Sequence, residues 1–154
     1  MKKYVLFILL PVALFSCDIR RKGKIGDDSK TDSLKLVQQL LIQEEAMKNT
    51  TTVQMIDSVY NFGSVISGEK VEYNYKFKNT GNNPLVVFEA HASCGCTVPE
   101  KPEKPVLPGE TGYLKVVFNS EGRHGVNEKE INVSSNANPG FPILKLKGEV
   151  KDKQ

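Results

Sequence analysis

Two cysteines one residue apart, in Cys94-Gly95-Cys96, form the most chemically distinctive stretch of this chain, whose only other cysteine is Cys17. Cysteines at that spacing come within the Cα separation that a disulfide tolerates, and the glycine between them is expected to relieve backbone strain. The ring so closed is small: loop entropy gives about 1.6 kcal/mol, against about 3 kcal/mol for a 15-residue loop. The first expectation is therefore a local clasp at a loop tip. Two other chemistries compete for the same atoms. A thiolate here could exchange with substrate disulfides, but the pair is not Cys-x-x-Cys and no helix N-terminus is expected beside it to lower a thiol pKa. A metal would find two soft sulfurs and the imidazole of His91, with His124 from another loop as a fourth ligand, a set suited to Cu(I) or Zn. Against the metal, the spacing matches no established zinc pattern, and each histidine reads equally well as a surface or turn residue.

Nothing else in the chain announces catalysis. There is no Ser, His and acid constellation, no carboxylate pair in a glycosidase-like setting and no phosphate-binding glycine loop; Gly122 and Gly125 read as turn glycines. The chain is expected to be no enzyme and to need no cofactor. The formal net charge is +3, and Lys2 and Lys3 supply two of those charges. The remaining lysines are scattered among glutamates with no basic stripe, so no nucleic-acid partner is expected. Arg20-Arg21-Lys22 is the one basic run, read as a solvated tether within reach of anionic lipid.

The compartment follows from the N-terminus. Lys2-Lys3 and the apolar residues 4–15 read as a secretory signal, too short to span a bilayer at about 20 residues per helix. The segment ends in Leu14-Phe15-Ser16-Cys17, which resembles the lipobox of bacterial lipoproteins, although Phe15 is an unusual residue for its position. The resemblance implies cleavage before Cys17, diacylglycerol on its sulfur and a palmitate-type acyl group on its new amine. Several acyl chains would hold the protein on a membrane where one binds only marginally. The other reading is an ordinary signal peptide cut near Ser16, leaving Cys17 free. Acylation of Cys17 would leave an even pair of cysteines, exported to an oxidising compartment.

Three regions are expected: a signal peptide at 1–16, a lipid-anchored spacer and helix at 17–50, and a sandwich domain with a short tail at 51–154. Residues 18–30 are polar and glycine-containing, as a flexible spacer is. Over 32–49, Leu34, Val37, Leu40 or Leu41, and Met47 recur near helical spacing, flanked by Leu36 and Ile42. Thr31 or Asp32 is the expected cap and Asn49 the expected end of one amphipathic helix. Its apolar stripe should bury, on its own domain or against a second copy, with partner recognition as the sharper reading.

From Thr51 the period becomes two. Val71, Tyr73, Tyr75 and Phe77 alternate with polar residues, as in a strand with one buried face. Leu85 to Glu89 follows the turn chemistry of Asn79 to Pro84, and later Leu114, Val116 and Phe118, then Ile131 and Val133, then Leu144, Leu146 and Val150 mark further strands. About seven such strands without an intervening helix predict an all-β, antiparallel, immunoglobulin-like sandwich. It lacks Trp, and Cys94 and Cys96 are too close in sequence to join two sheets as an antibody disulfide does. Prolines at 99, 102, 105 and 108 repeat every third residue, the period of a polyproline II helix. The stretch reads as a stiff connection or a sheet edge, and alternatively as a ligand for a proline-reading partner.

Several short pieces occur in a telling order: Phe62-Gly63-Ser64-Val65 with Ser67-Gly68-Glu69, Phe77-Lys78-Asn79-Thr80-Gly81, Pro84-Leu85, Ser93-Cys94-Gly95-Cys96-Thr97, Leu107-Pro108-Gly109-Glu110, Val133-Ser134-Ser135-Asn136 and Leu146-Lys147-Gly148-Glu149-Val150. Together they resemble the bacterial domain-of-unknown-function 1573 family over roughly residues 55–150. The resemblance implies a lipoprotein of the Bacteroidetes type and a sandwich related to the ASH and PapD-like domains. It brings no activity. The expected protein is a membrane-anchored binding or structural module of the cell envelope, at the outer membrane with its face left open, whose partner is a protein or glycan. A thiol-redox or copper- or zinc-binding protein built on Cys94 and Cys96 is the alternative.

Overall fold

A computed structural model describes residues 28–153, with side chains from residue 32 onward. The expected signal peptide, Cys17 and most of the spacer lie outside the described residues. Helix α1 (Asp28–Lys48) is followed by eight strands: β1 (Val53–Met55), β2 (Val59–Ile66), β3 (Lys70–Asn79), β4 (Val87–Ala92), β5 (Thr97–Glu100), β6 (Thr111–Asn119), β7 (Gly125–Ser135) and β8 (Leu144–Lys151). They form two four-stranded sheets, one in the order β1-β3-β6-β5 and the other β2-β8-β7-β4.

The inward residues of the two sheets make one core. In β3, Val71, Tyr75 and Phe77 are buried, and their antiparallel partner β6 contributes Leu114, Val116 and Phe118. The opposing sheet supplies Ile131, Leu144, Leu146 and Val150. Period-two alternation is the cause, since successive side chains on a strand point to opposite faces. The Tyr75 hydroxyl donates to the Lys145 carbonyl across the core at 2.7 Å, so its polar end is satisfied where its ring is buried.

The sandwich is the expected all-β, immunoglobulin-like one and differs from the expectation in three details. It has eight strands, because the chain crosses from one sheet to the other between Met55 and Val59 and so forms β1 and β2 as separate strands. That crossing sets β2 beside the last strand in the same direction, making the β2–β8 pair parallel and the second sheet mixed. The proline stretch is not a uniform polyproline helix. Pro99 belongs to β5, the chain bends at Glu103 and Lys104, and Val106 exchanges both backbone hydrogen bonds with Leu85 at 2.9 Å. Burial of the Val106 side chain and its bonds to Leu85 override the three-residue repeat.

Helix α1 also differs from its expected form. It extends N-terminal to 32, placing Thr31 and Asp32 in its interior, and ends at Lys48, with the Asn49 amide donating to the Glu45 carbonyl at 3.2 Å. Its expected stripe is not buried against its own sandwich. Ala46 is covered and Ile42 half-covered, whereas Leu34, Leu36, Val37, Leu40, Leu41 and Met47 are all exposed.

Candidate functional site

Most of the motif pieces are consumed by the scaffold. Asn79 is fully buried: its amide donates to the carbonyls of Asn83 and Val106, both at 2.8 Å, and its Oδ1 accepts from the Thr51 hydroxyl at 2.8 Å and the Gly81 amide at 3.1 Å. The Glu69 and Glu110 carboxylates accept the amides of Ile66 and Leu107, closing tight turns in which Gly68 and Gly109 have positive φ. Gly148 lies under the Phe62 ring, where an added Cβ would come within 2.4 Å of ring carbons. Asparagines, turn carboxylates and glycines in these pieces thus satisfy buried backbone or make room for a ring.

Ser93-Cys94-Gly95-Cys96-Thr97 has a different place. Between β4 and β5 the chain changes sheets within residues 93–96. Ser93 ties the corner to one sheet, its amide donating to the Glu130 carbonyl at 2.9 Å and its hydroxyl accepting the Glu130 amide at 3.2 Å. Cys96 ties it to the other, its carbonyl accepting the Asn119 amide at 2.9 Å. The Thr97 amide donates to the Cys94 carbonyl at 3.2 Å, and a disulfide joins Cys94 to Cys96 with their Cα atoms 5.3 Å apart. Thr97 is buried beneath, with its hydroxyl 3.7 Å from the Cys94 sulfur. The clasp therefore closes the corner at which the two sheets exchange the chain.

Gly95 does not have the role expected of it. Its φ is not positive, and a Cβ added there would meet no atom within 4 Å, so neither backbone conformation nor internal space requires glycine. It is exposed at the rim of a cavity of about 360 Å³ lined by Cys96, Val98 and Val117 together with Lys70, Asn119 and Glu121. Val98 and Val117 are register partners on β5 and β6, which gives that surface an apolar centre between a cation and an anion.

The four proposed metal ligands are not brought together. Both sulfurs are in the disulfide; His91 in β4 pairs through Nε2 with Glu89 at 2.9 Å, and His124 in the β6–β7 turn pairs through Nδ1 with Asp152. Among the described residues no three His, Cys, Asp or Glu side chains are grouped to hold a metal ion.

Two lysines that sequence reasoning passed over have defined roles. Lys129 points inward in β7, its ammonium 5.7 Å from the centroid of the Phe118 ring. Burial, with Arg123 nearby, lowers its pKa. The alternation Asn127, Lys129, Ile131 was the available signal. Lys101 donates to the carbonyls of Val87 at 3.3 Å and Phe88 at 2.7 Å, capping the edge strand β4. On β5, the bond from Asn119 to the Cys96 carbonyl fixes the ladder parity, so that the backbone N–H and C=O of Val98 face β6 and the backbone groups of Thr97 and Pro99 face away from it. The Thr97 amide is already used and Pro99 has none, so this edge offers a stray strand no donor.

Two packed sheets with the chain passing between them form an immunoglobulin-like sandwich. The ASH/PapD-like domain of human CEP192 superposes with a TM-score of 0.52 at 12% identity, over 68% of this chain and 89% of that one. A protein of unknown function from Porphyromonas gingivalis W83 superposes with a TM-score of 0.53 at 17% identity, over 66% of this chain. The match spans 47% of the length of that protein. These likenesses define the fold. Residues 53–150 match the family described as "Protein of unknown function (DUF1573)", and the chain belongs to that family. No curated protein matches it in sequence.

Proposed function

We propose that this chain is a non-enzymatic lipoprotein of the bacterial cell envelope, acylated at Cys17 and held at the outer membrane, whose sandwich binds an envelope protein or glycan at the Cys94–Cys96 corner. Gly95 carries the reading. A residue without a side chain stands exposed on a disulfide-closed corner, beside a cavity of about 360 Å³, with no internal reason to be glycine. Glycine at such a place admits close approach of another molecule's backbone or ring. Strand addition is not the mode of binding here, because Lys101 and Pro99 blunt the two nearest sheet edges.

Intact-mass measurement of protein extracted from native membranes tests the anchor: the expected mass carries acyl chains at Cys17 and rises by two hydrogens after reductant. A photoreactive residue at Glu121, on the rim beside Gly95, should give a discrete adduct that the same residue at Asn132, on the other sheet, does not. An unmodified Cys17 would overturn the anchor. Identical adducts from both positions would overturn the binding corner, and a thiol-transfer activity lost in Cys94→Ala would overturn the non-enzymatic reading.

A further inference from the structure

Helix α1 is apolar on two opposite sides. Ile42 and Ala46 meet the sandwich, where with Pro84, Val86 and Pro105 they line a cavity of about 220 Å³. At about 100° per residue, Leu34, Leu36, Val37, Leu40, Leu41 and Met47 fall within an arc of about 160° whose centre lies about 180° from that docking side. Each of the six is more than half exposed. A broad apolar arc on a helix is normally covered by something. Among the described residues, nothing covers this arc.

We propose that the arc rests on the surface of a lipid bilayer, so that the helix lies between the membrane and the sandwich. The proposal extends the anchored reading and rests on it. Eleven residue steps separate Cys17 from Asp28, at most about 40 Å, so an acylated Cys17 keeps the helix constantly near the bilayer. The arc faces directly away from the sandwich, and a flat surface meets it without touching the domain. Between Ser33 and Leu41 the arc contains no charged residue, and the Glu44–Lys48 pair at 3.1 Å lies in it toward the C-terminal end of the helix. A second copy fits less well. Residues 34–47 provide a strip about 20 Å long and about 10 Å wide, far short of the roughly 800 Å² per partner that stable pairs bury. The helix lies on the membrane rather than through it: no described helix is long and apolar enough to cross.

Depth-dependent quenching tests this in the full-length acylated protein, reconstituted in phosphatidylethanolamine–phosphatidylglycerol vesicles. A fluorophore on Leu36→Cys or Leu40→Cys is expected to be quenched by acyl-chain-labelled lipid at least threefold more than one on Gln39→Cys, which faces the domain side. Equal quenching at the three positions overturns the proposal, as do labels shielded from lipid that cross-link copy to copy or to another protein. The anchor is read separately, by intact mass. In the same protein, with the acyl chains verified by intact mass, Leu36→Glu with Leu40→Glu should lower the quenching of a fluorophore on Leu34→Cys at least threefold. Unchanged quenching in the acylated protein overturns the helix proposal.

Discussion

Asn136, at the end of β7, holds the C-terminal end of helix α1: its amide donates to the carbonyl of Asn49 at 2.8 Å. The same group donates to Pro84 at 2.9 Å, while Oδ1 accepts the Val86 amide at 2.9 Å. One buried side chain thus joins helix, β4 approach and β7. Asn136→Ala leaves these backbone groups without partners, each costing about 1–3 kcal/mol if it stays dry. We expect a loss of about 2–4 kcal/mol in urea unfolding, with faster amide exchange at Val86. A loss below about 0.5 kcal/mol would show that water replaces the amide without cost.

Gly148→Ala should destabilise by about 1–3 kcal/mol, because its methyl must displace the Phe62 ring or the β2 backbone. Combining it with Phe62→Leu should cost less than the sum of the two single changes. Simple additivity would mean that the ring is not the obstacle.

Gly95→Ala should leave urea stability within about 0.5 kcal/mol of the parent, because the position has open space and an ordinary φ. Adduct formation at the corner should fall. Loss of stability with binding unchanged would reverse the assignment of this glycine to recognition.

Replacing both Cys94 and Cys96 by Ser should cost only about 1.6 kcal/mol, on the loop-entropy relation. Hydrogen exchange should quicken at Thr97 and Asn119, whose amides bond to the corner carbonyls, and stay unchanged at Val116. Global acceleration would make the clasp a determinant of the whole fold.

Alkaline pH should unfold the protein partly through Tyr75. Burial, reinforced by Tyr73 and Asp57, raises its pKa well above the ordinary tyrosine value. The unfolded chain therefore loses this proton first, near pH 10, while the folded chain keeps it. Stability is complete below about pH 10 and declines as pH rises beyond it. Tyr75→Phe should flatten that decline, as read from urea midpoints, while losing about 1 kcal/mol at neutral pH with the bond to Lys145. An unchanged slope would place the alkaline transition elsewhere.

The strands were legible in the sequence because alternation is local: Val71 to Phe77 and Leu114 to Phe118 announce a face before any partner is known. The motif order likewise sufficed for the family. Gly95 was misread from its neighbours alone, since only φ and the surrounding space distinguish a strained position from an open one. The histidines were grouped with the thiols by residue type; only the fold shows them paired with Glu89 and Asp152. Helix periodicity located α1 but not its orientation. Which apolar side meets the sandwich depends on where Pro84, Val86 and Pro105 come to lie, and those contacts bridge residues distant along the chain. Sequence by itself determined element type, core faces and the spacing that lets Cys94 reach Cys96. Tertiary structure decided that this clasp sits where the chain passes between sheets, because sheet order is set by long-range pairing that no local pattern encodes.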